Sequence, residues 1–172
     1  MVVVVSVRAR ALSLLTTVIE ETTTKNPARF AVVSNFLAEF HGGVSSSGLS
    51  LVATLQRRSA DEKSTVRKSG LSLIKAVIVF VIKRLESTGQ DVQSKEMQLL
   101  LESLEERTSD SVMTIRKQSL EVITELVLAF PQSSNLWSKW QKAVFPSITD
   151  RETAIQDYCV SCVNAVLIQH AP

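Results

Sequence analysis

The chain is 172 residues long, 45% hydrophobic and 21% charged, with a net charge of +2 at pH 7. Five Gly and four Pro are too few breakers for an all-β fold, and two Cys cannot make a disulfide framework, so the composition points to a helical protein of a reducing, intracellular compartment. The charge balance is too mild to announce a nucleic-acid partner by itself.

The opening Met1-Val2-Val3-Val4-Val5-Ser6 has no basic leader, and Arg8 and Arg10 interrupt the apolar run, so no secretion signal is expected. Apolar spacing predicts a first helix over about residues 5–24. Asn26-Pro27 reads as an N-cap followed by a first-turn proline, opening an extra helix over 27–41 that stops at His41-Gly42-Gly43. Val44-Ser45-Ser46-Ser47-Gly48 is a short link. Helix pairs then follow over about 49–85, 92–130 and 133–168, with a loop around Gly89 between Glu86 and Lys95. The longest wholly apolar stretch, Ala76 to Ile82, falls far short of the roughly 20 residues needed to span a bilayer, so no membrane contact is expected.

One pattern recurs through these elements. Val7, Val66, Ile115 and Ile155 are each followed four residues on by a small side chain (Ala11, Gly70, Ser119, Cys159) and then by an apolar one. The apolar match continues at Leu14, Leu73, Val122 and Cys162 and at Val18, Val77, Leu126 and Val166, which is the face of an amphipathic helix. Asp61, Asp110 and Asp150 stand five residues before the last three starts, where a carboxylate can accept backbone N–H groups and face the positive end of the following helix. Upstream of each Asp, Leu51, Leu100 and Trp140, then Leu55, Leu104 and Val144, fall on one face of a preceding helix. The expected fold is all-α, a solenoid of antiparallel helix pairs with about three to four repeats, forming one array over 1–172. Starts at 7, 66, 115 and 155 give offsets of 59, 49 and 40 residues, so the first two intervals need insertions. Nothing before Val7 supplies a partner helix, so the first repeat is incomplete, and the chain is expected to be cut from a longer array.

Three worded segments narrow this further: Arg57-Arg58-Ser59-Ala60-Asp61-Glu62-Lys63-Ser64-Thr65-Val66-Arg67-Lys68-Ser69; Ser111-Val112-Met113-Thr114-Ile115-Arg116-Lys117-Gln118-Ser119-Leu120; and Trp140-Gln141-Lys142-Ala143-Val144-Phe145-Pro146 with Asp150. In this order they resemble the D-type HEAT-repeat subunits of condensin II, over roughly residues 49–168. The resemblance implies a non-catalytic regulatory scaffold of a nuclear, chromosome-associated complex. Its partners would be the kleisin subunit and SMC ATPases, with DNA or histones bound without sequence preference. It implies no cofactor, no metal and no small-molecule substrate. By the same resemblance, Arg67 and Arg116, with Arg8, would pair with turn aspartates of their own or a neighbouring repeat. Gln156-Asp157 departs from the Arg-Lys of earlier repeats.

Other residues allow two readings. Arg57, Arg58, Lys63, Lys68 and Lys117 are ordinary solubilising charges, or a patch that contacts phosphates without reading sequence. Trp137 is a core residue or an anchor for a partner. Cys159-Val160-Ser161-Cys162 is a C-x-x-C whose cysteines sit in core registers, without histidine ligands at metal-site spacing. No residue pair has the spacing of a catalytic nucleophile and base, and no glycine-rich phosphate loop is present, so an enzyme is not expected. A helical scaffold of the transport or phosphatase type is the alternative.

Overall fold

The computed structural model describes residues 2–25, 31, 33, 51–88 and 95–170. Their elements are helices, with no strand among the described residues: α1 (Val2–Lys25), α2 (Leu51–Ser59), α3 (Ser64–Thr88), α4 (Lys95–Arg107), α5 (Met113–Ala129), α6 (Ser134–Ser147) and α7 (Thr153–His170). The all-α fold expected from the apolar spacing is the fold observed. Apart from Ala31 and Val33, which are helical, the expected helix over 27–41 and the Val44–Gly48 link lie outside the described residues, as does the loop centre at 89–94. That loop begins later than the composition suggested. Glu86, Ser87 and Thr88 still belong to α3, because nothing before Gly89 breaks a helix.

The chain divides into two compact units, Met1–Leu100 and Leu101–Pro172, with the division falling inside α4. In the first unit α1 and α2 both pack on α3. The α3 positions named by the pattern, Val66, Leu71, Leu73, Ile74, Val77 and Ile78, are all buried, as is Leu55 of α2. Each such side chain contributes roughly 1.5–3 kcal/mol of transfer free energy, so the stripe is the main favourable term here. Gly70 shows why the pattern keeps a small residue: a Cβ there would lie 3.1 Å from the Arg58 carbonyl carbon and the Ser59 nitrogen. The backbone that ends α2 therefore lies directly against α3.

In the second unit α5 packs on α6 and α7, and α6 on α7. Ile115, Leu120, Ile123, Leu126 and Val127 of α5 meet Trp140, Ala143 and Val144 of α6 and Ile155, Cys159 and Val166 of α7 in one buried core. The Ser133 hydroxyl caps α6, accepting from the Leu136 N–H at 3.4 Å. Trp140 donates its indole N–H to Thr124 Oγ1 at 3.1 Å, so a large apolar ring enters the core with its one polar atom satisfied. Cys159 and Cys162 are buried free thiols. Burial, aided by nearby Cys162 and Asp150, pushes the Cys159 pKa up to about 11, so it packs as a neutral side chain.

Candidate functional site

The three turn aspartates share one geometry. Asp61, Asp110 and Asp150 each accept, through Oδ1, the backbone N–H two residues on, at 3.1 Å from Lys63, 2.9 Å from Val112 and 2.9 Å from Glu152. This local bond closes the turn and aims the next helix. Two of the carboxylates, Asp61 and Asp150, also take a guanidinium from a preceding repeat. Arg8 Nη1 lies 2.7 Å from Asp61 Oδ2, and Arg116 binds Asp150 in a fork, Nε to Oδ2 and Nη2 to Oδ1, both at 2.8 Å. Arg8 in the first unit and Arg116 in the second each reach the turn aspartate of a following repeat.

A second contact ties the arginine of each following helix to the backbone of its own turn. Arg67 Nη1 donates to the Asp61 carbonyl at 2.9 Å, and Arg116 Nη1 to the Asp110 carbonyl at 3.0 Å. Gln156 stands in this register in the last repeat, and its Nε2 donates to the Asp150 carbonyl at 2.6 Å. Glutamine thus keeps the local bond and gives up the charge. Arg58 and Arg107, each three residues before a turn aspartate, add ion pairs of 3.3 Å to Asp61 and 3.6 Å to Asp110. That recurrence is visible in the sequence once the aspartates are aligned.

Arg116 is buried and Asp150 partly so, with side-chain exposures of 3% and 11%. Burial by itself raises the pKa of Asp150. Hydrogen bonds from Arg116 and the Glu152 N–H, with the positive charges of Arg116 and Arg151, outweigh that and hold the carboxyl below its ordinary value. A depressed folded-state pKa means that Asp150 stabilises the fold above its ordinary pKa of 3.8, and that this stability is lost as the pH falls through the lower folded value. Asp150→Asn should flatten the acid limb of stability between those two points. Urea denaturation of both proteins at a series of pH values between about 2 and 6 checks this.

Around the same pair in the second unit lies a groove of about 760 Å³. Glu102, Glu105 and Glu106 of α4 form one wall, Lys139 and Lys142 of α6 with Arg151 the other, and Asp110, Arg116 and Asp150 line it between them. Two bridges cross it: Lys139 Nζ to Glu105 at 2.7 Å, and Arg151 Nη2 to the Ser111 carbonyl at 2.7 Å. These bridges join residues 34 and 40 positions apart, and no local spacing announces them. Among the described residues no group of three His, Cys, Asp or Glu could hold a metal ion, and no helix is long and apolar enough to cross a membrane.

The expected contact residues separate on inspection. In the first unit Arg57 and Lys68 are exposed, Lys63 sits half-buried in the turn, and Arg58 is tied to Asp61. In the second, Lys117 lies 5.4 Å over the Tyr158 ring, on a helix face it shares with Glu121 and Glu125. Burial, Cys162 and those two glutamates raise the Tyr158 pKa well above the ordinary tyrosine value, so the ring stays neutral beneath the lysine. Trp137 donates its indole N–H to the Pro131 carbonyl at 2.7 Å and sets its ring edge against Trp140, with centroids 5.8 Å apart. The half-buried ring is thus held by contacts within the second unit.

Over 126 residues the chain is 31% identical to condensin-2 complex subunit D3-L of Xenopus laevis, and over 116 residues 36% identical to condensin-2 complex subunit D3 of Mus musculus. The chain is a D3-type segment. The matches cover 73% and 67% of this chain and 8% and 7% of those proteins, so the D3-type segment spans less than a tenth of the relatives it matches. No family profile and no solved structure matches it.

Proposed function

We propose that this D3-type segment serves as a non-catalytic regulatory scaffold within condensin-2, in the nucleus and on chromosomes, supporting mitotic chromosome condensation. It would do so by holding the kleisin subunit and, through it, the SMC ATPases. The likeness to two D3-type subunits carries the reading. The geometry is in keeping with it, because the turn carboxylates and their arginines are engaged in clamping helix pairs, which leaves helix faces and turn edges for partners. Tagged full-length chain recovered from mitotic extract should enrich condensin-2 subunits over an unrelated helical-repeat control. Enrichment of transport or phosphatase components in their place would overturn the assignment.

Binding to duplex DNA or histones is the second part of the proposal, and the exposed Arg57 and Lys68 are its best-placed residues. Contacts of this kind are made to phosphates and weaken steeply with salt. Neutralising Arg57 and Lys68 should lower duplex affinity uniformly across sequences and reduce the slope against log salt by about one per lost contact. Arg58→Gln should act mainly on stability, since Asp61 already holds that side chain. Fluorescence anisotropy at several salt concentrations reads both effects, and an unchanged slope in the double variant would remove DNA from the proposal.

A further inference from the structure

The groove beside the Arg116–Asp150 clamp carries charges of both signs, and they are unequally matched. Five carboxylates line it, and each has a cation at hand. Glu105 and Glu102 share Lys139 Nζ, at 2.7 and 3.9 Å. Glu106 lies 3.3 Å from Arg107, and Asp110 lies 3.6 Å from the same guanidinium. Asp150 is held in the fork by Arg116. Two lining cations remain without such a partner. Lys142 is exposed and makes no hydrogen bond or ion pair among the described residues. Arg151 is exposed and donates only to the neutral Ser111 carbonyl, because its neighbour Asp150 is already taken by Arg116.

An excess of positive charge on one wall selects an anion, and the other wall decides its kind. Across the groove stand the glutamates of α4, with Glu102 and Glu106 51% and 68% exposed. Duplex DNA carries one negative charge per about 1.7 Å of its axis. Laid against Lys142 and Arg151, it would bring phosphates up to those glutamates, and like charges at close range are unfavourable. A polypeptide sets its charges one at a time. It can place a carboxylate at Lys142 and Arg151 and turn N–H groups and neutral side chains toward α4. The exposed Ser109 and Ser111 hydroxyls also line the groove, and neither makes a hydrogen bond among the described residues. The bridges from Lys139 to Glu105 and from Arg151 to Ser111 hold the walls in place beforehand, so less ordering is left for binding.

We propose that this groove is the docking site for an acidic segment of a partner protein, whose carboxylates are received by Lys142 and Arg151. Arg151 offers a planar fork that suits a carboxylate, and Lys142 adds a second positive charge on the same wall. Arg116 and Asp150 stay outside the recognition, since each already holds the other. The inference rests on charge pairing inside the second unit and is independent of the condensin-2 assignment. A failure to recover condensin-2 subunits would leave it standing, and its own failure would leave that assignment standing.

Amide chemical-shift titration of the full 172-residue chain tests it, with a synthetic peptide of repeating Gly-Ser-Glu, its Gly-Ser-Gln counterpart and a DNA duplex as probes. The glutamate peptide should give saturable shifts at Ser109, Ser111, Lys142 and Arg151, and the glutamine peptide should not. Lys142→Gln together with Arg151→Gln should weaken that binding by about tenfold. Helical circular dichroism should be unchanged, because neither side chain meets a carboxylate at hydrogen-bond distance in the fold. Glu102→Gln together with Glu106→Gln should act in the opposite sense, tightening the glutamate peptide and admitting the duplex to the groove. Three results would overturn the proposal. These are equal shifts from the two peptides, an unchanged affinity in the Lys142 and Arg151 double variant, and a duplex that shifts the same residues of the parent chain at lower concentration than the peptide.

Discussion

Replacing Arg116 with alanine is expected to cost about 3–5 kcal/mol of unfolding free energy in the second unit, the largest loss of any single substitution outside its apolar core. The guanidinium forms the fork to Asp150 and donates Nη1 to the Asp110 carbonyl, and its own side chain is only 3% exposed on the groove wall. Truncation leaves the Asp150 carboxylate without its main counter-charge and a buried carbonyl without its donor, and such orphaned groups are what make the loss large. Arg116→Lys should recover only part of it, since one ammonium cannot make the two-pronged contact and reach the carbonyl as well. Urea denaturation followed by circular dichroism measures all three proteins, and a loss below about 1 kcal/mol for the alanine variant would mean the pair is no stronger than a surface ion pair.

Trp140→Ala should cost a comparable amount, about 3–5 kcal/mol, by a different physical route. The ring is buried, packs at a steep angle against Trp137 and Phe145, and donates to Thr124 Oγ1. Removing it opens a cavity between α6 and α5 and leaves the Thr124 hydroxyl without that donor. Trp140→Phe separates the two causes: it retains most of the ring, so its smaller loss reports the hydrogen bond and the residual void. Equal losses for the two variants would show that the indole N–H, and not the volume, decides the effect.

The parts of this structure that were legible in the sequence depend on local spacing. The apolar stripe from Ile115 to Val127 and the turn at Asp110 follow from i, i+4 and i+7 positions and from an acid just ahead of a helix, so both could be read before any coordinates. Gly70 could be identified as a close-packing position by register alone, although the backbone it touches could not. Arg58 reads as a surface charge because sequence does not say which way a side chain in the last turn of a helix points; the structure turns it onto Asp61. Sequence leaves Trp137 open between core residue and partner anchor; its indole N–H is held by a Pro131 carbonyl whose direction depends on the path of the turn before α6. Lys117 kept its exposure, but Tyr158 beneath it comes from another helix. The Lys139 and Arg151 bridges and the groove they cross needed tertiary structure, because each joins residues far apart in the chain.

Gln156 stands where the two preceding repeats carry arginine. From sequence, its departure from arginine implies only that a basic stripe weakens there. The structure shows that the amide preserves the bond to its own turn at 2.6 Å, so the substitution changes what the repeat can offer to a neighbour and not how the repeat itself is closed.

The recurring Arg–Asp pattern is the basis on which helix faces, and not the turn charges, are assigned to partners, and a double-mutant cycle on Arg116 and Asp150 tests it most directly. Unfolding free energies of the parent, Arg116→Met, Asp150→Asn and the double variant give the coupling between the two side chains. A clamp of the observed geometry predicts a coupling above about 1 kcal/mol, with the double variant less damaged than the sum of the singles. Losses that add to within about 0.3–0.5 kcal/mol would contradict it, and would return both residues to the set available for binding.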